Sequence, residues 1–328
     1  MSENIKKVLV IRLGAIGDMI IMSPVLKALK EDGYEITLNL KKYSFPAVRH
    51  NPNIDAFIFH DEEIKPENLE AHWLKLAEGF DLCVNLSGSI EGSLLLKEGT
   101  PEFDWPHEKR HKECNINYYD RMFMIPSMPQ RGKVGELYFS KEETNWARHF
   151  RKKHENKFLI VWSLAGSSFH KAYPYAEEVA VEFLDKHEDA YIVTVGGSFE
   201  QILAFQHERA YDRSGKWEMW RTLILTKYAN LVVAPETGTL NAAGCFKTPK
   251  IAMLSHSSEE NLTKYFENCD NIHGEADCYP CHRLIYTRTA CPISPDSRVS
   301  ICMSRISKNK LLSLMEGWYE KWEKKQLI

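Results

Sequence analysis

The chain has 328 residues, a little over twice the roughly 150 that one domain usually takes, so two domains are expected before any motif is read. Hydrophobic residues at 44% and charged residues at 27% fit a globular chain with a core of ordinary size, and exclude a disordered or collagen-like one. Lys+Arg 42 against Asp+Glu 45 gives a net charge of −3, which supplies no global basic field, so nucleic acid is not an expected partner.

Residues 8–11 form a continuous apolar run ahead of Gly14, Gly17 and Asp18, with Met19, Ile20, Met22, Val25, Leu26 and Leu29 following at helical spacing. The pattern predicts a buried strand, a glycine turn and a helix. Arg12 and Asp18 cut this stretch well short of the roughly 20 apolar residues of a spanning helix, so no transmembrane segment is expected. Lys6 and Lys7 begin like an export signal, but only four apolar residues follow before Arg12, and no small-residue cleavage site comes after. A cytoplasmic location with reduced thiols is the expectation. Strands are predicted over 35–40, 56–59 and 81–85, with a helix over 69–78 between the last two. This alternation implies a parallel sheet in an α/β fold.

Between 86 and 134 the period is lost, and Gly, Pro, His and charged residues dominate around 105–112, which predicts a long functional or mobile loop. His107 and His111 there are read as solvated or acceptor-contacting rather than metal ligands. A charge-rich helix is predicted over 141–153. A second series of strands follows over 158–162, 191–195, 231–234 and 250–254, with a helix over 176–183. The boundary is drawn near Glu155, giving domains 1–155 and 156–328. The terminal helix 308–325 carries Leu311, Leu312, Leu314, Met315, Trp318 and Trp322 on one face, read as a packing face.

Three turns carry the chemistry. Arg12-Leu13-Gly14-Ala15-Ile16-Gly17-Asp18 lacks a Gly-x-Gly-x-x-Gly fingerprint, and Asp18 reads either as a helix-dipole partner or as a general base facing the cleft. The turn at 163–168 brings Ser167 and Ser168, then Lys171, whose point charge suits a diphosphate. After the strand 231–234 come Glu236, Thr237, Gly238 and Thr239, where amides and hydroxyls at a helix start suit phosphate, with ordinary N-capping as the alternative. Glu200, after Gly196-Gly197-Ser198, reads as a ribose-binding carboxylate or a plain cap.

In order and spacing, these three turns resemble glycosyltransferase family 9, the heptosyltransferases, over nearly the whole chain. The resemblance implies a GT-B fold: two Rossmann-like domains facing across a cleft, the N-terminal one holding the acceptor and the C-terminal one the nucleotide-sugar donor. It implies Asp18 as catalytic base, Lys171 beside the donor diphosphate, Thr237 and Gly238 in the phosphate turn and Glu200 at the ribose. Glu236 and Asn241 stand where the family usually has Asp and His.

The implied activity is inverting transfer of heptose from ADP-heptose to an acceptor hydroxyl on a saccharide, a lipopolysaccharide core or a protein. No Asp-x-Asp stands at a strand end, so no divalent ion is expected in that step.

Cys278, Cys281, Cys291 and Cys302 gather in the segment 277–303, four soft ligands that suit a structural iron or zinc ion. The segment resembles the iron-finger of bacterial autotransporter heptosyltransferases. The competing reading is a non-catalytic binding protein with a degenerate cleft and this segment as an interaction module. Glu236 and Asn241 are the features that favour it.

Overall fold

The computed structural model describes residues 5–166, 168–287 and 289–326. The first half alternates β1 (Lys7–Arg12), α1 (Ile16–Glu31), β2 (Glu35–Leu40), β3 (Ala56–Phe59), α2 (Leu69–Ala77) and β4 (Leu82–Asn85). These strands form a parallel sheet in the order β3-β2-β1-β4. β1 is an apolar run because it is central and covered on both faces.

The segment read as an unbroken loop holds β5 (Leu96–Lys97), α3 (His107–Cys114) and α4 (Tyr118–Met124). This corrects the sequence expectation. α3, with the sequence HEKRHKEC, has almost no apolar periodicity and is held by tertiary contacts through the buried Arg110 and Cys114. α5 (Lys141–Lys153) begins with a reciprocal cap, Ser140 N donating to Glu143 Oε2 at 2.9 Å and Glu143 N to Ser140 Oγ at 3.2 Å.

The second half runs β6 (Phe158–Ser163), α6 (Ala176–Lys186), β7 (Ala190–Val195), β8 (Ala210–Asp212), α7 (Met219–Tyr228), β9 (Leu231–Pro235), α8 (Gly238–Gly244), β10 (Lys250–Met253), α9 (Glu259–Leu262) and β11 (Cys269–Ile272). Its six-stranded sheet has the order β8-β7-β6-β9-β10-β11, which is the 3-2-1-4-5-6 order of a dinucleotide-binding sheet. Two short elements follow, β12 (Arg283–Leu284) and α10 (Ile301–Ser304), and then α11 (Lys308–Gln326). α11 packs on α6 through the buried Leu311 and Met315, and Trp318 Nε1 donates to Asp270 Oδ2 at 2.7 Å, so its apolar stripe is a packing face as expected.

One buried cluster runs from β1 and α1 through α4 to α8 and one face of the second sheet, while a second lies beneath α6 and α11. α5 belongs by packing to the second half: Trp146 stands edge-on to Trp217 at 5.3 Å, next to α7. No helix among the described residues is long and apolar enough to cross a membrane.

Candidate active site

In an open parallel sheet the ligand crevice lies beyond the carboxyl ends of the strands, where the strand order reverses. In the first sheet that point lies between β1 and β4, and in the second between β6 and β9. The turns after these four strands meet in one cleft of about 470 Å³, lined by Asp18, Glu91, Ser163, Gly166, Lys171, Glu200, Glu236, Thr237, Gly238, Thr239 and Asn241, among others.

Asp18 sits in the first turn of α1 and caps it backwards: Ala15 N donates to Asp18 Oδ2 at 2.7 Å. Gly14 permits this, since a Cβ there would lie 2.5 Å from Asp18 Oδ2 and 2.8 Å from Asp18 Cβ. The other oxygen, Oδ1, lies 2.7 Å from Arg12 Nη2, and the same nitrogen donates to Glu91 Oε2 at 2.9 Å. Both readings of Asp18 therefore describe one side chain, a cap that also faces the cleft. Burial, reinforced by Glu91 and opposed by Arg12, pushes Asp18 up to about 7. A carboxylate poised there suits a general base near neutral pH.

Facing Asp18 from the second half is the start of α8. Gly17 and Gly238 bring the two helices together: a Cβ on Gly17 would lie 2.8 Å from Asn241 Nδ2, and one on Gly238 3.0 Å from Ile16 Cγ2. Thr237 caps α8, its Oγ1 accepting from Leu240 N at 3.4 Å. Lys171 Nζ donates to the Glu236 carbonyl at 2.9 Å. Burial draws this lysine below the ordinary range, with Glu236 and Asp18 partly restoring it. A lysine held by one carbonyl retains two further protons for an anionic ligand.

Two expected ligand contacts are engaged elsewhere. The Glu236 carboxylate accepts from Ser255 N and Ser257 N, both at 2.9 Å, and lies 2.6 Å from His256 Nε2. Although burial opposes its charge, His256, Lys171 and the Ser255 amide draw Glu236 down to about 2. Its extra methylene relative to Asp lets it span to the loop after β10. Glu200 is 2% exposed, and its oxygens accept from Gly166 N at 2.7 Å, Ala165 N at 3.2 Å and Gly197 N. A ribose diol would compete with these amides. Burial pushes Glu200 up against them. Ser168 accepts from His170 N at 3.3 Å and lines an adjoining cavity rather than the cleft. Ser167 lies outside the described residues.

That adjoining cavity, about 210 Å³, shares Lys171, His256 and Leu284 with the cleft and is lined by Cys281, Cys291 and Cys302. Cys278 lies within charge-coupling range of all three. Burial and the neighbouring thiols push Cys281 up, Cys291 up to about 12 and Cys302 up to about 11. The chemistry of four cysteines suits a thiophilic ion. Among the described residues, however, no three His, Cys, Asp or Glu side chains stand in a metal-holding group. His107 and His111 are engaged within the protein, 3.0 Å from the Pro280 carbonyl and from His282 Nε2 respectively.

Glu91 was outside every sequence motif. The signal that points to it is topological: it follows β4, the neighbour of β1 at the reversal of strand order.

No protein-family profile and no curated protein matches this sequence. Solved structures do match in three dimensions. The glycosyl transferase family 9 structure from Veillonella parvula superposes with a TM-score of 0.68 at 15% identity, covering 98% of this chain and 99% of that one. ADP-heptose LPS heptosyltransferase II of E. coli gives 0.67 at 16% identity over 97% and 99%. The iron-containing dodecameric glycosyltransferase TibC of enterotoxigenic E. coli gives 0.61 at 11% identity over 98% and 77%. With two parallel sheets whose reversal points face each other across one cleft, the chain has the GT-B fold of glycosyltransferase family 9.

Proposed function

We propose that the protein is an inverting glycosyltransferase that moves a sugar, heptose carried on ADP, to an acceptor hydroxyl, and that it works in the cytoplasm. The observation that supports this most is the meeting of Asp18, from the first half, with Lys171 and the start of α8, from the second, in one cleft. The acceptor oxygen forms its bond to the anomeric carbon as the bond from that carbon to the diphosphate oxygen breaks. The acceptor proton passes to Asp18, and the electron pair leaves with the diphosphate. Lys171 and the amides and hydroxyls of Thr237, Gly238 and Thr239 receive the developing charge. Glu200 and Glu236 shape the nucleotide side of the cleft.

The E. coli relative whose name includes ADP-heptose, and TibC, recorded in complex with ADP-D-β-D-heptose, support the choice of donor. The acceptor is a saccharide, a lipopolysaccharide core or a protein hydroxyl. Incubating the purified protein with ADP-heptose and candidates of each class, followed by mass spectrometry, tests the reading: a product heavier by one heptose supports it. Absence of both transfer and donor hydrolysis with all of them overturns it.

We also propose that Cys278, Cys281, Cys291 and Cys302 hold one structural iron or zinc ion, which would supply order to the segment 277–303 and no chemistry to transfer. TibC is described as iron-containing, which favours iron. Metal analysis of protein purified without chelator should give about one equivalent, lost in the Cys278→Ser/Cys281→Ser variant; a metal-free folded protein would refute this.

A further inference from the structure

Two cleft carboxylates, Asp18 and Glu91, meet on the Arg12 guanidinium. Arg12 is 1% exposed, and it meets both Asp18 Oδ1 and Glu91 Oε2 through the single nitrogen Nη2, while its Nε is buried with no partner among the described residues. Asp18 and Glu91 thus share one guanidinium nitrogen and feel each other's charge. Glu91 is held in this position by a tight turn. Gly92 N donates to the Leu95 carbonyl at 2.7 Å, and Leu94 N and Leu95 N both donate to the Ile90 carbonyl at 2.8 Å. Gly92 adopts φ +93, which a side chain rarely does.

We propose that Glu91 is a positioning residue for the Asp18 base: it takes a share of the Arg12 charge and fixes the Asp18 carboxyl toward the cleft, so that the acceptor proton is received by a coupled pair rather than by an aspartate neutralised by its own arginine. This rests on the reading of Asp18 as the base. Two carboxylates on one guanidinium nitrogen cannot both be fully compensated, so the pair binds a proton more readily than either alone. The directions agree: Asp18 is pushed up by burial and Glu91, while Glu91 is drawn down by Arg12 although burial opposes it. Lys171 and Tyr118 face the pair on the Asp18 side, Tyr286 and Lys97 lie beside Glu91, and Lys41, His60 and Glu62 line the cavity that Glu91 and Arg12 share.

The test is a carbon-13 NMR titration of side-chain carboxyls in the intact protein, with the Asp18 signal assigned by its loss in Asp18→Asn. In the parent protein, Asp18 and Glu91 should show a shared inflection. In Glu91→Gln, the Asp18 midpoint should fall by about one pH unit or more, and the acid limb of ADP-heptose hydrolysis should fall with it. Glu91→Asp, which keeps the charge, should restore part of the shift. Independent titration in the parent, or an Asp18 midpoint unmoved in Glu91→Gln, overturns the proposal. Near-parent turnover in Asp18→Asn instead removes the base reading, so the two failures are distinguishable. The parent titration needs no variant at Glu91 to fold.

Discussion

Asp18 spends one oxygen on the Ala15 amide and the other on Arg12, leaving one lone pair on each for a proton from the cleft. Asp18→Asn keeps the shape and removes the basicity, so kcat should fall by about 10²–10⁴ with ADP affinity unchanged, measured by initial rates and calorimetry. The parent rate should rise with pH through about 7 as Asp18 ionises. The sign for stability is opposite: a carboxyl whose folded pKa is raised is more readily protonated folded than unfolded, so its contribution declines as pH climbs from about 4 toward 7. At pH 8, Asp18→Asn should therefore melt no lower than the parent, which separates lost chemistry from lost structure. Lys171→Ala removes a charge-assisted contact, so ADP affinity should weaken by about 10- to 100-fold, with Thr237→Val weaker by less. Unchanged calorimetric affinity in both variants would move the phosphate site elsewhere. Asp18, Lys171 and Thr237 were legible in the sequence because each stands on a turn between an apolar strand and a helix. Glu91 was not, because its turn ends in a two-residue strand and carries no motif. For Glu200 the plain cap was legible, and the Gly197 amide forms it, but the further amides that engage Glu200 and Glu236 come from distant loops and left no local signal.

At the scale of elements, the cleft is made by turns at strand ends, and the first of them depends on Gly14. A Cβ at Gly14 would approach Asp18 Cβ and Cγ at 2.8 Å, and neither atom can move without tilting the whole side chain. Gly14→Ala should thus displace Asp18 and lower kcat by roughly tenfold or more while ADP binding persists, because a shift of about 1 Å at a reacting group is costly and the phosphate turn lies on the other half. Equal loss of kcat and ADP affinity would show that the turn organises the whole cleft instead. Central parallel strands were legible for a simple reason: burial on both faces writes them as continuous apolar runs. β5, β8 and β12 are two or three residues long and partly polar, and α3 is a helix whose buried side chains are Arg110 and Cys114. Their order comes from partners remote in sequence, so local periodicity could not register them.

At the scale of the whole molecule, the cysteine segment ties the two halves together. β12 pairs in parallel with β5, Leu96 N donates to the His282 carbonyl at 2.8 Å, and Arg110 Nε donates to the Cys281 carbonyl at 3.0 Å. Arg283 Nε donates to the Phe103 carbonyl at 2.8 Å, and the Glu98 carboxylate accepts from Tyr286 N and Thr287 N, both at 2.9 Å. Leu284, in the middle of this strap, lines the cleft, the cysteine cavity and a third cavity over β1. The strap has little apolar side-chain burial of its own, so its order should depend on whatever fixes the cysteines. Removing the proposed ion with a chelator, or changing Cys278 and Cys281 together to serine, should raise amide hydrogen exchange at Leu96, Glu98, Tyr286 and Thr287. Exchange in β1 after Lys7, in β6 and in β9 should stay slow, because those residues are central to their sheets and buried. Turnover should fall more than ADP affinity, since the strap joins the two halves while the proposed phosphate turn lies wholly within one. Unchanged exchange at those four amides after the metal is removed would mean that the hydrogen bonds across the halves suffice without it.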